Sequence, residues 1–125
     1  MVDTAFLITG SHDLAMGLAA LLMSIPPLRH VERLAEPEAV INRLAEGHQP
    51  VLVVFDSNML GPAITTVVKT VHNVAPETRT IVLSDTVEEL RQLTAKGVEL
   101  VVVKGVDAPT LVGTIESLLS DVAPL

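Results

Sequence analysis

Polar residues of three different chemical types each stand at the end of a short apolar segment. Asp56 follows the run 51–55, Ser84 closes the run 80–84, and Lys104 follows the run 100–103. If these runs are parallel strands of one sheet, their carboxyl ends lie at a common edge, where open sheets of this kind bind ligands. Asp and Ser also favour caps and turns, so each residue alone is explained without a site. The coincidence at three strand ends predicts a crevice that holds a carboxylate, a hydroxyl and an ammonium group.

The chain alternates five times between a short apolar run and a helical pattern. The runs that predict strands are 5–9, 28–34, 51–55, 80–84 and 100–103. The run 51–55 is apolar without interruption, which is typical of a strand that is buried on both faces. Charged side chains interrupt the run 28–34, and an edge strand tolerates such charge.

The helical patterns carry capping residues at their expected ends. The predicted caps and terminators are Ser11, Pro37, Gly47, Thr86, Gly97 and Asp107. Thr86 and Glu89 have the spacing of a capping box. Three methionines, Met16, Met23 and Met59, are expected to fill gaps in the core.

Strand–helix alternation predicts an α/β fold with a parallel, doubly wound sheet that has helices on both faces. Right-handed crossovers leave few topologies, of which the flavodoxin-like strand order 2-1-3-4-5 is the expected one. That order places the third strand at the centre and the second at an edge, as their compositions require. A length of 125 residues predicts a single domain over 1–125.

Composition excludes several classes of function. The net charge of −7 disfavours direct binding of this segment to nucleic acid, and two Phe without Tyr or Trp provide few stacking platforms. No Cys is present, so thiolate catalysis and thiolate metal sites are excluded. No apolar run approaches the length of about 20 residues that spans a bilayer. We therefore expect a cytoplasmic domain without a membrane contact.

Four segments resemble the receiver domain of bacterial two-component response regulators, in the branch that usually carries a helix-turn-helix output domain. They are LITGSH (7–12), VVFDSNMLG (53–61), TIVLS (80–84) and AKG with VVK (95–97 and 102–104). The resemblance implies that Asp56 occupies the position that accepts a phosphoryl group from a histidine kinase. It also implies that Ser84 and Lys104 occupy the positions that contact the phosphoryl group when the domain switches.

Other positions depart from the receiver pattern. The two adjacent acids that hold the divalent cation in receivers are replaced by Gly10 and Ser11. Magnesium prefers oxygen ligands that include carboxylates, so Asp56 alone predicts weak Mg²⁺ binding or no cofactor. Asp85 stands where receivers have a small residue, so it either repels a phosphoryl donor or replaces part of the metal site, with Asp13 as a more distant helper. These departures are typical of pseudo-receivers.

Three functions follow from these residues as hypotheses. The first is a regulatory protein-interaction module with impaired or absent Mg²⁺-dependent phosphorylation. The second is a phospho-acceptor that uses Asp56, and the third is a small-anion site at residues 9–11, where a helix begins. No enzyme activity is predicted, because the four histidines have no metal-ligand spacing. The expected partners are a histidine kinase, an output domain or a second copy of the chain, with Glu88, Arg91, Gln92 and Lys96 as exposed contact candidates.

Overall fold

A five-stranded parallel sheet forms the centre of the computed structural model, which describes residues 3–26 and 28–120. The strands are β1 (Thr4–Ile8), β2 (His30–Leu34), β3 (Leu52–Asp56), β4 (Arg79–Ser84) and β5 (Val101–Val103). Their spatial order is β2-β1-β3-β4-β5, which confirms the predicted topology. The bounds differ from the predicted runs by one or two residues.

In residues 3–26 and 28–120, six helices and one 3-10 turn connect and cover the strands. They are α1 (His12–Met23), α2 (Pro37–Ala45), α3 (Ser57–Leu60), the 3-10 turn Gly61–Ala63, α4 (Ile64–Val74), α5 (Val87–Ala95) and α6 (Ala108–Ser120). The short helix α3 was not predicted, because the apolar pattern that signals a helix begins only at Ile64.

Side chains of the strands alternate between two apolar cores, one on each face of the sheet. Leu52 and Val54 of β3 pack with α1 and α6, whereas Val53 and Phe55 pack with α2, α4 and α5. Every residue of β3 is buried, as the unbroken apolar run predicted. This double cover fixes β3 rigidly and with it the position of Asp56 at its end.

Strand β2 lies at the edge of the sheet, which explains its charged side chains. Arg43 of α2 forms a two-contact ion pair with Glu32 of β2, with Nη2 and Oε1 2.8 Å apart. The same guanidinium lies 5.4 Å from the ring centroid of Phe6, within the range of a cation–π contact. The charges of β2 therefore attach the edge strand to its helix.

Most predicted helix ends are confirmed. Ser11 accepts a hydrogen bond from the backbone N–H of Leu14, and Asp107 accepts one from Thr110. Gly47 and Gly97 follow α2 and α5 with φ values of 95° and 94°, a conformation that favours glycine. The sequence also predicts that Pro26 and Pro27 end the first helix; α1 ends at Met23, and Pro27 lies outside the described residues.

The prediction that Met16 and Met23 fill the core is wrong. Met16 is 63% exposed and Met23 is 50% exposed. Helix α1 buries Ala15, Leu18 and Leu22 against the sheet, so the two methionines lie on the opposite side. The helix is apolar on all sides, and periodicity therefore gave no information on which side faces inward.

Candidate functional site

Asp56 is held at the carboxyl edge of the sheet by two local structures. It is the last residue of β3, and it is also the N-cap of α3, where its Oδ1 accepts a hydrogen bond from the backbone N–H of Asn58 at 3.1 Å. Only 3% of the residue is exposed. A buried carboxylate requires partners that compensate its lost hydration.

Lys104 is the principal partner of Asp56. It follows β5 directly, and its Nζ lies 2.5 Å from Oδ1 of Asp56. The same Nζ lies 2.7 Å from Oδ1 of Asp85, which follows β4. One ammonium group thus bridges a buried carboxylate and a more exposed one. The structure brings Asp56, Lys104 and Asp85 together, all three of which sequence reasoning selected.

Thr9 is a member of the site that sequence reasoning assigned only to a small-anion site and not to the contacts of Asp56. Its Oγ1 donates a hydrogen bond to Oδ2 of Asp56 at 2.7 Å and accepts one from the backbone N–H of Ser11 at 3.1 Å. The register explains this contact, because Ile8 pairs with Phe55 and the next residues of both strands are therefore neighbours. A hydroxyl residue next to a central acid in the strand register is the signal that could have revealed it.

The charges of Asp56 and Lys104 stabilise each other. Burial raises the pKa of the Asp56 carboxyl, but hydrogen bonds from Lys104, Thr9 and a backbone N–H outweigh burial and hold that pKa below its usual range. Burial likewise lowers the pKa of Lys104, and its two carboxylate partners more than reverse this, so that pKa is raised. At neutral pH the site therefore contains an ionised carboxylate and an ionised ammonium group.

Ser84 lies at this edge but takes no part in the contacts to Asp56 that the described residues make. It is fully buried, and its Oγ donates a hydrogen bond to the backbone carbonyl of Thr86 at 3.2 Å. The hydroxyl thus supports the turn between β4 and α5.

Glu89 connects the loops on the two sides of the site. Its Oε1 accepts hydrogen bonds from the hydroxyl of Ser57 at 2.7 Å and from the backbone N–H of Asp85 at 2.9 Å. The predicted capping box is half formed, since Thr86 caps the N–H of Glu89 at 3.0 Å while the carboxylate serves these other donors. Glu89 therefore fixes the backbone that carries Asp85.

The region after β1 has a different character. Gly10 and Ser11 are exposed, and the Ser11 hydroxyl is used as the cap of α1. A Cβ atom placed on Gly10 would lie 2.9 Å from Sδ of Met59, so a thioether covers this position. Asp13 is exposed and, with Lys104, lines a cavity of about 270 Å³ between α1 and the residues after β5. Among the described residues, no group of three His, Asp or Glu side chains is placed to hold a metal ion.

The arrangement of sheet, helices and carboxyl-edge acid defines a flavodoxin-like domain with the fold of response regulator receivers. One solved structure with this fold, a response regulator receiver protein from Sinorhizobium medicae WSM419, has a TM-score of 0.82 and 17% identity, with 98% of each chain covered. A CheY-like receiver domain protein from Methanospirillum hungatei JF-1 has a TM-score of 0.79 and 15% identity, covering 98% of this chain and 97% of its own.

A third similar structure is a LuxR family DNA-binding response regulator from Silicibacter pomeroyi. Its TM-score is 0.78 and its identity 16%, with 96% of this chain and 93% of its own covered. No family model matches the sequence, and no curated protein matches it either. The similarity is thus one of fold over nearly the whole chain. In the described residues, no helix has the length and apolar content needed to cross a membrane.

Proposed function

We propose that this chain is a receiver-like domain of a signalling protein that acts as a regulatory protein-interaction module, without Mg²⁺-dependent phosphorylation of Asp56. The observation that carries the proposal is the Lys104 ammonium group, which bridges Asp56 and Asp85 at 2.5 and 2.7 Å. An internal cation thereby neutralises the carboxylate that an external metal ion would otherwise have to neutralise.

The contacts of Asp56 oppose nucleophilic attack by its carboxylate. Oδ1 accepts hydrogen bonds from Lys104 and from the N–H of Asn58, while Oδ2 accepts one from Thr9. A phosphoryl donor would also approach the carboxylate of Asp85, which has a side-chain exposure of 40% at the mouth of the site. Two like charges 4 Å apart repel by about 4 kcal/mol at an effective dielectric constant of 20, before any screening by salt.

The residues present do not fit the magnesium ion that receivers use. Mg²⁺ requires near-octahedral oxygen ligands at short range. Position 10 offers no side chain, the hydroxyl of Ser11 caps α1, and the group nearest to Gly10 is the thioether of Met59, a soft ligand that suits other metals. These contacts support a module that works without a resident cation.

Phosphorylation of Asp56 is the second candidate function. It is favoured by the position of the carboxylate at the strand end and by its contact with Lys104. The third hypothesis, a small-anion site at residues 9–11, gains no support, because the backbone N–H groups of Ser11 and Leu14 already donate to the hydroxyls of Thr9 and Ser11.

Intact-mass measurement after incubation with acetyl phosphate and MgCl₂ distinguishes the first two candidates. We expect the unmodified mass for the wild type and no heat of Mg²⁺ binding by calorimetry. A single added phosphoryl group that disappears in Asp56→Asn would overturn the proposal in favour of the acceptor. The matched variant Asp85→Ala removes the competing carboxylate and reports whether that residue alone excludes the donor.

The surface of α5 is a candidate contact face for a protein partner such as a histidine kinase or an output domain. The four side chains expected there, Glu88, Arg91, Gln92 and Lys96, are all exposed. Pull-down experiments that use the protein and its charge-reversal variants at these four residues as bait test whether the surface of α5 is a contact face. Unchanged recovery of partners in every variant would exclude it.

A further inference from the structure

The cavity of about 270 Å³ between α1 and the residues after β5 has an apolar wall. Apart from Asp13 and Lys104, every residue that lines it has an apolar side chain or is glycine. The larger apolar side chains come from α1, β4, α6 and the loop after β5, and they include Leu14, Leu18, Leu21, Leu83, Val106 and Leu111. A mostly apolar cleft with a small number of polar groups is typical of a small-molecule site.

The absence of a side chain at Gly17 keeps this cavity open. Gly17 lies on the side of α1 that faces the cavity, between Asp13 and Leu21, which are each one helical turn away. Glycine inside a helix is less favourable than alanine, and a common reason for it is the close approach of another element. Here a Cβ atom placed on Gly17 would meet no atom of a neighbouring element within 4 Å. The glycine therefore leaves open space along the wall and does not serve close helix packing.

The charged end of the cavity is negative in sum. Asp13, in the first turn of α1, and Lys104, directly after β5, both lie at the carboxyl edge of the sheet. The Nζ atom of Lys104 is engaged by Asp56 and Asp85, at 2.5 and 2.7 Å. Asp13 is exposed and takes part in none of the ion pairs within residues 3–26 and 28–120. Three carboxylates therefore share one ammonium group, and this end of the cavity attracts a second cation.

We propose that this cavity binds a small amphipathic amine, whose ammonium group pairs with Asp13 and whose apolar body lies along α1 toward Leu21. The rise of an α-helix separates these two residues by about 12 Å, which defines an elongated site. A ligand with a carboxylate or phosphate head group would meet three carboxylates and is rejected by repulsion. Binding of the amine does not depend on the state of Asp56, so its failure would leave the proposed function intact.

Titration of the full chain with phenylbutylamine, followed by NMR of the backbone amides, tests the site. The matched ligands phenylbutanol and phenylbutanoate have the same apolar body with a neutral and an anionic head group. We expect a Kd of about 1 mM or lower for the amine, weaker binding of the alcohol, and a Kd at least tenfold higher for the carboxylate. The amide signals of Gly17 and Gly105, which both line the cavity, should move with the amine.

Two substitutions test where the amine binds. Gly17→Leu fills the cavity and should raise the Kd at least tenfold, while urea unfolding checks that the fold persists. The matched control is Gly113→Leu, at an exposed glycine of α6 that does not line the cavity, and it should leave the Kd unchanged. Asp13→Asn should weaken binding of the amine by about two- to fivefold, as expected for an exposed ion pair, and leave binding of the alcohol unchanged.

Three outcomes overturn the proposal. The first is a titration in which the amine shifts no signal of the cavity. The second is equal affinity for the amine and the carboxylate, since the head group is then not recognised. The third is amine binding that Gly17→Leu leaves unchanged, which would show only a general attraction of a cation to a chain with a net charge of −7.

Discussion

The two halves of the carboxyl edge differ in how they are held. Around Asp56, two buried strand ends and the residues after β4 and β5 bring three donors and two carboxylates into contact. After β1, the corresponding half consists of an exposed glycine, a capping serine and a thioether. The contacts of the first half are set by the strand ends of the sheet, whereas the second half consists of two exposed residues and one side chain of α3. The geometry around Asp56 therefore does not depend on the side chains at positions 10 and 11.

Removal of the Lys104 ammonium group should have the largest effect on stability. Lys104→Met leaves the buried carboxylate of Asp56 without its cation. We expect the free energy of unfolding to fall by about 2–3 kcal/mol. This loss is smaller than for a fully buried ion pair, because Lys104 is partly exposed. Urea unfolding at pH 7 measures this. Lys96→Met, at the exposed residue that follows α5, is the control and should change stability by about 0.5 kcal/mol at most.

The double variant with Asp56→Asn sharpens this first prediction. Because the uncompensated charge is then absent, it should be more stable than Lys104→Met alone. Equal losses in Lys104→Met and Lys96→Met would mean that the half around Asp56 is not held by its ion pair, and the contrast between the two halves would disappear.

The fold was predictable from sequence because burial acts on whole segments. The uninterrupted run 51–55 identified the central strand, and the charges of 28–34 identified the edge strand. The inward side of α1 was not predictable, since Leu, Ala and Met occupy every side of that helix and no polar residue marks the solvent. Only the packing of Leu18 and Leu22 against the sheet decides it.

The candidate site was predictable to the extent that strand ends determine it. Asp56 ends β3 and Lys104 follows β5, and only β4 lies between these strands at the same edge of the sheet, so their proximity followed from topology. The contact of Thr9 could have been found only from the register of β1 against β3, and the contacts of Glu89 depend on single side-chain torsions, which no sequence pattern specifies. The hydroxyl of Ser84 has a nearby backbone carbonyl in its own turn, and this local contact directs it to Thr86.

The pH dependence of stability is expected to show the next largest effect. The pKa of Asp56 is lower in the folded chain than in the unfolded chain, where it is about 3.9. The ionised carboxylate therefore stabilises the fold at pH values above about 3.9. This contribution is lost as the pH falls from about 3.9 through the pKa of the folded chain. The raised pKa of Lys104 has the opposite sign, so its contribution is lost only as the pH rises through a value above about 10.4.

Urea unfolding of the wild type and Asp56→Asn at several pH values measures this contribution. The wild type should be the more stable of the two by a constant amount between about pH 5 and pH 9, and the difference should shrink below about pH 4. A difference that grows on acidification would show that the carboxylate is destabilising, as expected of an acid cluster that awaits a metal ion.

Thr9→Val, in the half of the carboxyl edge around Asp56, should have a smaller effect on stability. Valine has a similar shape but no hydroxyl, so Oδ2 of Asp56 and the N–H of Ser11 each lose a partner. We expect a loss of about 1–2 kcal/mol in the free energy of unfolding. Thr94→Val, at an exposed position of α5, serves as the control with a change within about 0.5 kcal/mol. If the two threonines behave alike, the hydroxyl of Thr9 does not support the carboxylate.

The smallest predicted effect on stability is that of a substitution at Gly10, in the half of the carboxyl edge that follows β1. A glycine of α1 provides its control. Gly10→Ala introduces a Cβ only 2.9 Å from Sδ of Met59, so the flexible Met59 side chain must move, and we expect a loss of at most about 1 kcal/mol. Gly17→Ala on α1 meets no atom within 4 Å and should instead stabilise the helix by about 0.5–1 kcal/mol. In Gly10→Ala combined with Met59→Ala, the loss from position 10 should vanish relative to Met59→Ala alone. The absence of a side chain at position 10 would then be coupled to the thioether beside it, and any larger side chain introduced there would require a change of both residues.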